Sequence, residues 1–222
     1  MKKHILFWVL ALTFSAINAQ SNKLGTVSGN IGANAGINAA QLGKAGISSY
    51  TLSDASIFTS NFPIELNLGI AKPLSIGANY TPSNWSIIGE SGNVSGKFAA
   101  LGANINLYII NRNRFNMQLS LTPSYLLFKP IDFSFNQNSN TIKANLSGVD
   151  YKARLLFNIY FTNHFGMYFN IGYNTYKISI SDYNLLLQDP NLEQELKDLI
   201  SENFKSSLPG FQGGAGIVFK FK

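Results

Sequence analysis

Few side chains in this 222-residue chain pair a reactive type with a spacing that could do chemistry. Asp150, Lys152 and Arg154 occupy every second position of one stretch, and Glu65 stands alone among leucines and an isoleucine in another. Alternate positions of an extended chain share a face, so the three charges at 150–154 point the same way. One acid and two bases facing a common space can pair, relay a proton or grip a charged ligand. His164 is the only histidine beyond residue 19, and no Ser or Asp stands beside it in the order a nucleophile needs, so a polar turn residue is expected. "GNVSGK" (92–97) is one residue short of a phosphate loop, and Phe98 replaces its Ser or Thr. No catalytic residue, metal ligand set or cofactor is therefore expected.

The elements that must position these charges are written in a period of two. In "FPIELNLGIAKPLSIGANY" (62–80), Ile64, Leu66, Leu68 and Ile70 alternate with Glu65, Asn67 and Gly69. The same alternation recurs from Lys97 to Ile110, from Phe115 to Leu127, from Val149 to Phe161, from Phe165 to Tyr173 and from Phe211 to Phe221. With the run after Lys72-Pro73, that makes seven strands. "GTVSGNIGANAGIN" (25–38) supplies an eighth, with Val27, Ile31, Ala33, Ala35 and Ile37 on one side and Thr26, Ser28, Asn30, Asn34 and Asn38 on the other. Its glycines at 25, 29, 32 and 36 also have helix-packing spacing, but its asparagines and glycines make a membrane helix costly. The segment 45–58 is a weaker substitute for this strand.

Residues 1–19 read as a signal peptide: Lys2, Lys3 and His4, then a ten-residue apolar run from Ile5 to Phe14 that includes one Thr, then a small-residue end at Ala19. Ten residues of helix cover about 15 Å, half a hydrocarbon core. The remainder, 20–222, reads as one domain with 15 Lys and Arg against 11 Asp and Glu, a net of +4 spread along the chain. No basic stripe tracks a phosphate backbone, so nucleic acid is not an expected partner. The chain has no cysteine, so neither disulfides nor lipid acylation at a cysteine stabilises it.

Connections alternate in length. Lys72-Pro73, 111–114 and 162–164 are tight, whereas 86–96, 129–146 and 181–210 are long. The polar faces are mostly uncharged Asn, Ser, Gly and Tyr, and aromatics such as Phe62, Tyr80, Phe115, Tyr125, Tyr151, Phe165, Tyr173 and Phe211 gather near strand ends. Tyr108 is near an end too, but with inward parity. Short turns on one side, long loops on the other and aromatic girdles describe a strand with lipid outside and a packed lumen inside. The expected fold is all-β: an eight-stranded antiparallel up-and-down transmembrane β-barrel with one short helix in the last long loop. That helix is read in "DPNLEQELKDLISENF" (189–204), with Asp189 as N-cap, Pro190 at the first position and Leu192, Leu196, Leu199, Ile200 and Phe204 on one stripe.

In this alternation, its signal and the terminal "GGAGIVFKF", the chain resembles the small outer membrane β-barrel family, the OmpX- and OmpA-like eight-stranded group, in its Bacteroidetes-type style. The resemblance implies an outer membrane location, outer membrane lipid as surroundings, and the barrel assembly machinery as a partner that reads a terminal aromatic. Phe219 and Phe221 supply that signal, with Lys222 following as a departure.

Counted from their nearest short turns, Glu65 and Arg154 reach similar heights and both point inward. A lumenal ion pair is expected, with Lys152, Asp150 and Tyr168 nearby. It would act as a structural plug or, in the sharper version, as a gate. The helix at 189–204 would cover the barrel mouth or bind an extracellular protein or glycan through 187–207. The expected function is a non-enzymatic barrel with a surface structural or interaction role and a side-chain-filled lumen. The alternative is a narrow channel or transporter for small or apolar molecules.

Overall fold

The computed structural model describes residues 22–39, 41–42, 56–89, 92–129, 131–135, 140–186 and 205–221. The signal segment 1–19 and the helix proposed at 189–204, with Leu192, Leu196, Leu199, Ile200 and Phe204, lie outside the described residues.

Eight barrel strands follow in chain order. They are β1 (Val27–Ala39), β2 in two halves (Ser56–Asn61 and Ile64–Ala71), β3 (Leu74–Gly89), β4 (Gly92–Asn111), β5 (Phe115–Phe128), β6 (Asn140–Tyr160), β7 (Phe165–Leu186) and β8 (Lys205–Phe221). Each pairs antiparallel with the next, and β1 closes on β8 from Val27↔Phe221 to Asn38↔Gly210. Closure leaves no sheet edge among the eight strands, so every one is held from both sides. Two short strands add to the walls at one end: Ile131–Phe135 pairs with β6, and Gln41–Leu42 pairs with β8.

The alternation sorts onto two faces. Ile31, Leu66, Ile105, Leu121 and Ile171 face outward and are exposed, Ile171 at 61%. Asn30, Asn67, Asn104, Ser120 and Asn170 face inward and are buried. An outer apolar face with a polar interior inverts the arrangement of a water-soluble barrel. The strand at 25–38 is present as β1, and the last three residues of the substitute segment, 56–58, begin the first half of β2, Ser56–Asn61. Tyr108 is inward and buried, as its parity requires.

The long connections are shorter than the sequence pattern indicates. β3 and β4 pair as far as Gly89↔Gly92, and β6 and β7 as far as Thr141↔Leu186. Most of 86–96 and much of 129–146 and 181–210 are therefore strand. The strict alternation of apolar and polar residues lapses there, as at Ile87-Ile88, while the backbone ladder continues. One end of the barrel thus carries tight turns and both strand termini, and the other carries extended hairpins.

β2 breaks at Phe62-Pro63. Before the break it pairs with β1 at Asn34↔Asn61, and after it at Ile31↔Ile64. Pro63 has no N–H to give, and Pro82 on neighbouring β3 has none either. The wall is kept continuous there by Gly32 N–H donating to the Pro63 carbonyl at 3.2 Å and Phe62 N–H donating to the Pro82 carbonyl at 2.9 Å.

Candidate functional site: the filled lumen

The charged positions singled out by spacing occupy two adjacent levels of the lumen. Arg154 on β6 reaches β2, where its Nη2 lies 2.6 Å from Glu65 Oε1. The other carboxylate oxygen, Oε2, accepts a hydrogen bond from Asn30 Nδ2 at 3.0 Å. Arg154 also donates to Thr122 Oγ1 at 3.2 Å and Ser120 Oγ at 3.4 Å on β5. Both members of the pair are buried, which a charge tolerates only with a partner in place.

From Thr122 the contacts continue through uncharged side chains. Thr122 Oγ1 donates to Asn104 Oδ1 at 3.0 Å, and Asn104 Nδ2 donates to Asn67 Oδ1 at 3.2 Å. Asn106 Nδ2 donates to the same Asn67 oxygen at 3.0 Å and lies 3.2 Å from Ser75 Oγ. Asn79 joins through Asn104 Oδ1 at 3.3 Å, and Ser124 Oγ donates to Asn79 Oδ1 at 3.3 Å. One connected network thereby ties β1 through β6 together across the interior. On the far side, Asn170 Nδ2 of β7 donates to Asn34 Oδ1 of β1 at 2.9 Å.

Tyr168 lies near this pair, yet its hydroxyl makes no hydrogen bond. Its ring rests where β1 and β8 carry the directly paired glycines Gly32 and Gly216. A Cβ on Gly32 would stand 2.2 Å from the Tyr168 hydroxyl oxygen, and one on Gly216 would stand 2.7 Å from a ring carbon. The glycine pair is a recess for the ring. With Leu156, Tyr160 and Val218, Tyr168 forms an apolar cluster towards the turn end. Lys220 caps that end, its Nζ 3.9 Å from the centre of the Tyr160 ring.

Asp150 and Lys152 form a second ion pair at 2.9 Å, on the hairpin side of Arg154. Beyond it the lumen changes character. Ile57, Phe98, Ala100, Leu126, Tyr176 and Leu208 pack together, with Trp85, Phe128 and Ile178 against them. Phe98 contacts Phe128 with ring centres 5.4 Å apart and Tyr176 edge-on at 5.6 Å. Leu126, Tyr176 and Leu208 have the inward parity that strand alternation assigns to polar groups, and their alternation alone does not mark them as a core.

His164 sits exposed in the last tight turn, its Nδ1 3.0 Å from the Lys220 carbonyl oxygen and its ring stacked on Phe221. Phe221 faces outward and Phe219 is half-buried beside it, ring centres 5.9 Å apart. Among the described residues no group of three His, Cys, Asp or Glu is placed to hold a metal.

The chain is similar in structure to the outer membrane protein OprG from Pseudomonas aeruginosa, with a TM-score of 0.56 and 13% identity over 92% of this chain and 99% of that one. It is also similar to the outer membrane protein AlkL, with a TM-score of 0.55 and 12% identity over 92% and 94% of the two chains. No protein-family model matches the sequence, and no curated protein matches it. At these identities the likeness shows the fold, a small closed antiparallel barrel.

Proposed function

We propose that this chain is a non-enzymatic outer membrane β-barrel of the OmpX- and OmpA-like style, with a lumen closed to free diffusion and a structural or interaction role at the cell surface. Residues 1–19 direct export, the apolar belt faces outer membrane lipid, and Phe219 and Phe221 are read by the barrel assembly machinery. The tight turns face the periplasm and the extended hairpins face outward, so 187–207 is the segment that meets an extracellular protein or glycan. The observation that carries this reading is the 2.6 Å bridge from Arg154 to Glu65, tied to Thr122, Asn104 and Asn67 across the interior. Eight strands leave an interior narrow enough for side chains to fill, and the bridge and the asparagine network hold it across β1 to β6.

The test is outer membrane fractionation, gel mobility of unboiled and boiled protein, and then planar-bilayer recording. The expected result is a heat-modifiable outer membrane band that gives no stable conductance steps. Reproducible steps from the wild-type chain would refute the closed lumen, and a soluble band without a mobility shift would refute the membrane placement.

A second reading, a conduit for small apolar molecules, is favoured by the apolar cluster at the hairpin end and by the break in β2 at Phe62-Pro63, where Pro63 and the neighbouring Pro82 give no N–H to the wall. Such a molecule would enter among Phe98, Leu126 and Leu208 and leave sideways into lipid, bypassing the polar plug. Ser60 and Asn84 are direct partners across β2 and β3, and the chain has no other cysteine to interfere with a disulfide placed there. Ser60→Cys with Asn84→Cys should abolish uptake of an apolar dye when oxidised and restore it when reduced. Equal uptake in both states removes the sideways route.

A further inference from the structure

Between the Arg154–Glu65 bridge and the apolar cluster lies a layer of buried polar groups without protein partners. Asn61, Asn174 and Gln212 have neither amide nitrogen nor amide oxygen hydrogen-bonded, and the Thr59 and Tyr176 hydroxyls are equally unmet. All five side chains are at least nine-tenths buried. They are neighbours by strand register. Asn174 pairs with Lys152 and Tyr176 with Asp150, while Gln212 and Thr59 both flank Gly36. The Tyr176 hydroxyl faces Thr59 and Asn61 across the lumen. Asp150 belongs to the same layer: Lys152 Nζ lies 2.9 Å from its Oδ2, and its Oδ1 has no hydrogen-bond partner.

Native interiors satisfy buried polar groups with protein, water or ligand, and this many unmet groups in one layer is unlike a packed core. The charges are matched within the protein, Asp150 to Lys152 at 2.9 Å and Glu65 to Arg154 at 2.6 Å, so the layer offers an ion no net counter-charge. Three amides that each present a donor and an acceptor match groups that also do both, which is the chemistry of hydroxyls on adjacent carbons. Tyr176 and the neighbouring Phe98 add ring surface for the C–H face of such a molecule.

We propose that Thr59, Asn61, Asn174, Tyr176 and Gln212, with the Asp150–Lys152 pair, form a lumenal chamber that binds a small neutral polyol or sugar. Entry is from the hairpin end. The layer on that side is held by ring and aliphatic contacts, whereas the floor is held by the bridge and the asparagine network. The chamber does not require that the barrel conduct, so this inference goes beyond the reading above and is tested separately from it.

The experiment is NMR of the 15N-labelled full chain in detergent micelles, following the side-chain amides of Asn61, Asn174 and Gln212 during titration with glycerol, with D-glucose and with sodium chloride. Saturable shifts with glycerol or glucose and none with salt are expected. Asn61→Leu and Asn174→Leu should each weaken the response by about tenfold. Linear, unsaturated shifts, or shifts with salt alone, would overturn the proposal and leave the layer to water. If a leucine variant does not yield a heat-modifiable band, the wild-type titration decides alone.

Discussion

At the turn side of the lumen, Asn67, Asn104 and Asn106 bond to one another and, through Thr122, to a buried ion pair, whereas at the hairpin side Phe98, Leu126 and Leu208 pack as a small hydrophobic core. Both regions face inward within the same eight-stranded wall. The polar region is directional: each amide must find its partner, so it fixes the register of β1 to β6. The apolar region is tolerant of small shifts, because dispersion contacts have no preferred donor. The charged half is therefore suited to holding the barrel closed, and the greasy half to yielding at the mouth.

The largest blow to that contrast should come from breaking the bridge. Arg154→Ala leaves Glu65 as a buried carboxylate holding only Asn30, and removal of one partner of a buried pair costs about 3–5 kcal/mol. The expected outcome is a marked fall in the temperature at which the unboiled band converts to the slow form. Glu65→Gln in the Arg154→Ala background should recover much of the loss, because no unpaired charge is then buried. In the apolar half, Leu126→Ala should cost about 2–4 kcal/mol through the cavity it leaves, with no rescue by a second site. If Arg154→Ala converts at the wild-type temperature while Leu126→Ala does not, the bridge is ornamental and the apolar half alone holds the lumen shut.

How much of this was legible before any coordinates depends on which force wrote each residue. The outer face was plain, because the outward Leu66, Leu101, Ile105 and Ile171 must alternate with what lies inside, and a period of two survives any detail of curvature. Glu65 and Arg154 could be matched because each is a rare charge on a polar face and turn-counting sets its height. The hairpins could not: in 86–89 and 92–96 the adjacent Ile87 and Ile88 and the glycines at 89, 92 and 96 interrupt the period of two that strand reading relies on. The inner core at Phe98, Leu126, Tyr176 and Leu208 was hidden for a related reason. Leu126 sits between the outward Tyr125 and Leu127, so three successive apolar residues conceal a change of side. The Phe62-Pro63 break was visible only as a proline, and that β2 resumes in register beyond it depends on backbone partners on β1 and β3.

The finest test of inside against outside uses glycine, where one methyl group is the whole perturbation. Gly216 faces the lumen under the Tyr168 ring, and a Cβ there would stand 2.7 Å from a ring carbon and 2.2 Å from the Ile31 carbonyl oxygen. Gly213, three residues earlier, faces out, and the nearest atom to its Cβ would be the Asn170 carbonyl oxygen at 3.5 Å. Gly216→Ala should therefore cost about 1–3 kcal/mol by overpacking, and its conversion temperature should fall. Gly213→Ala should change stability by less than about 0.5 kcal/mol, since it adds a methyl to an apolar exterior without contact strain. Tyr168→Leu in the Gly216→Ala background discriminates further: if the ring is what fills the glycine recess, shortening it should return part of the lost stability, and if the Ile31 backbone is the obstacle, it should return none.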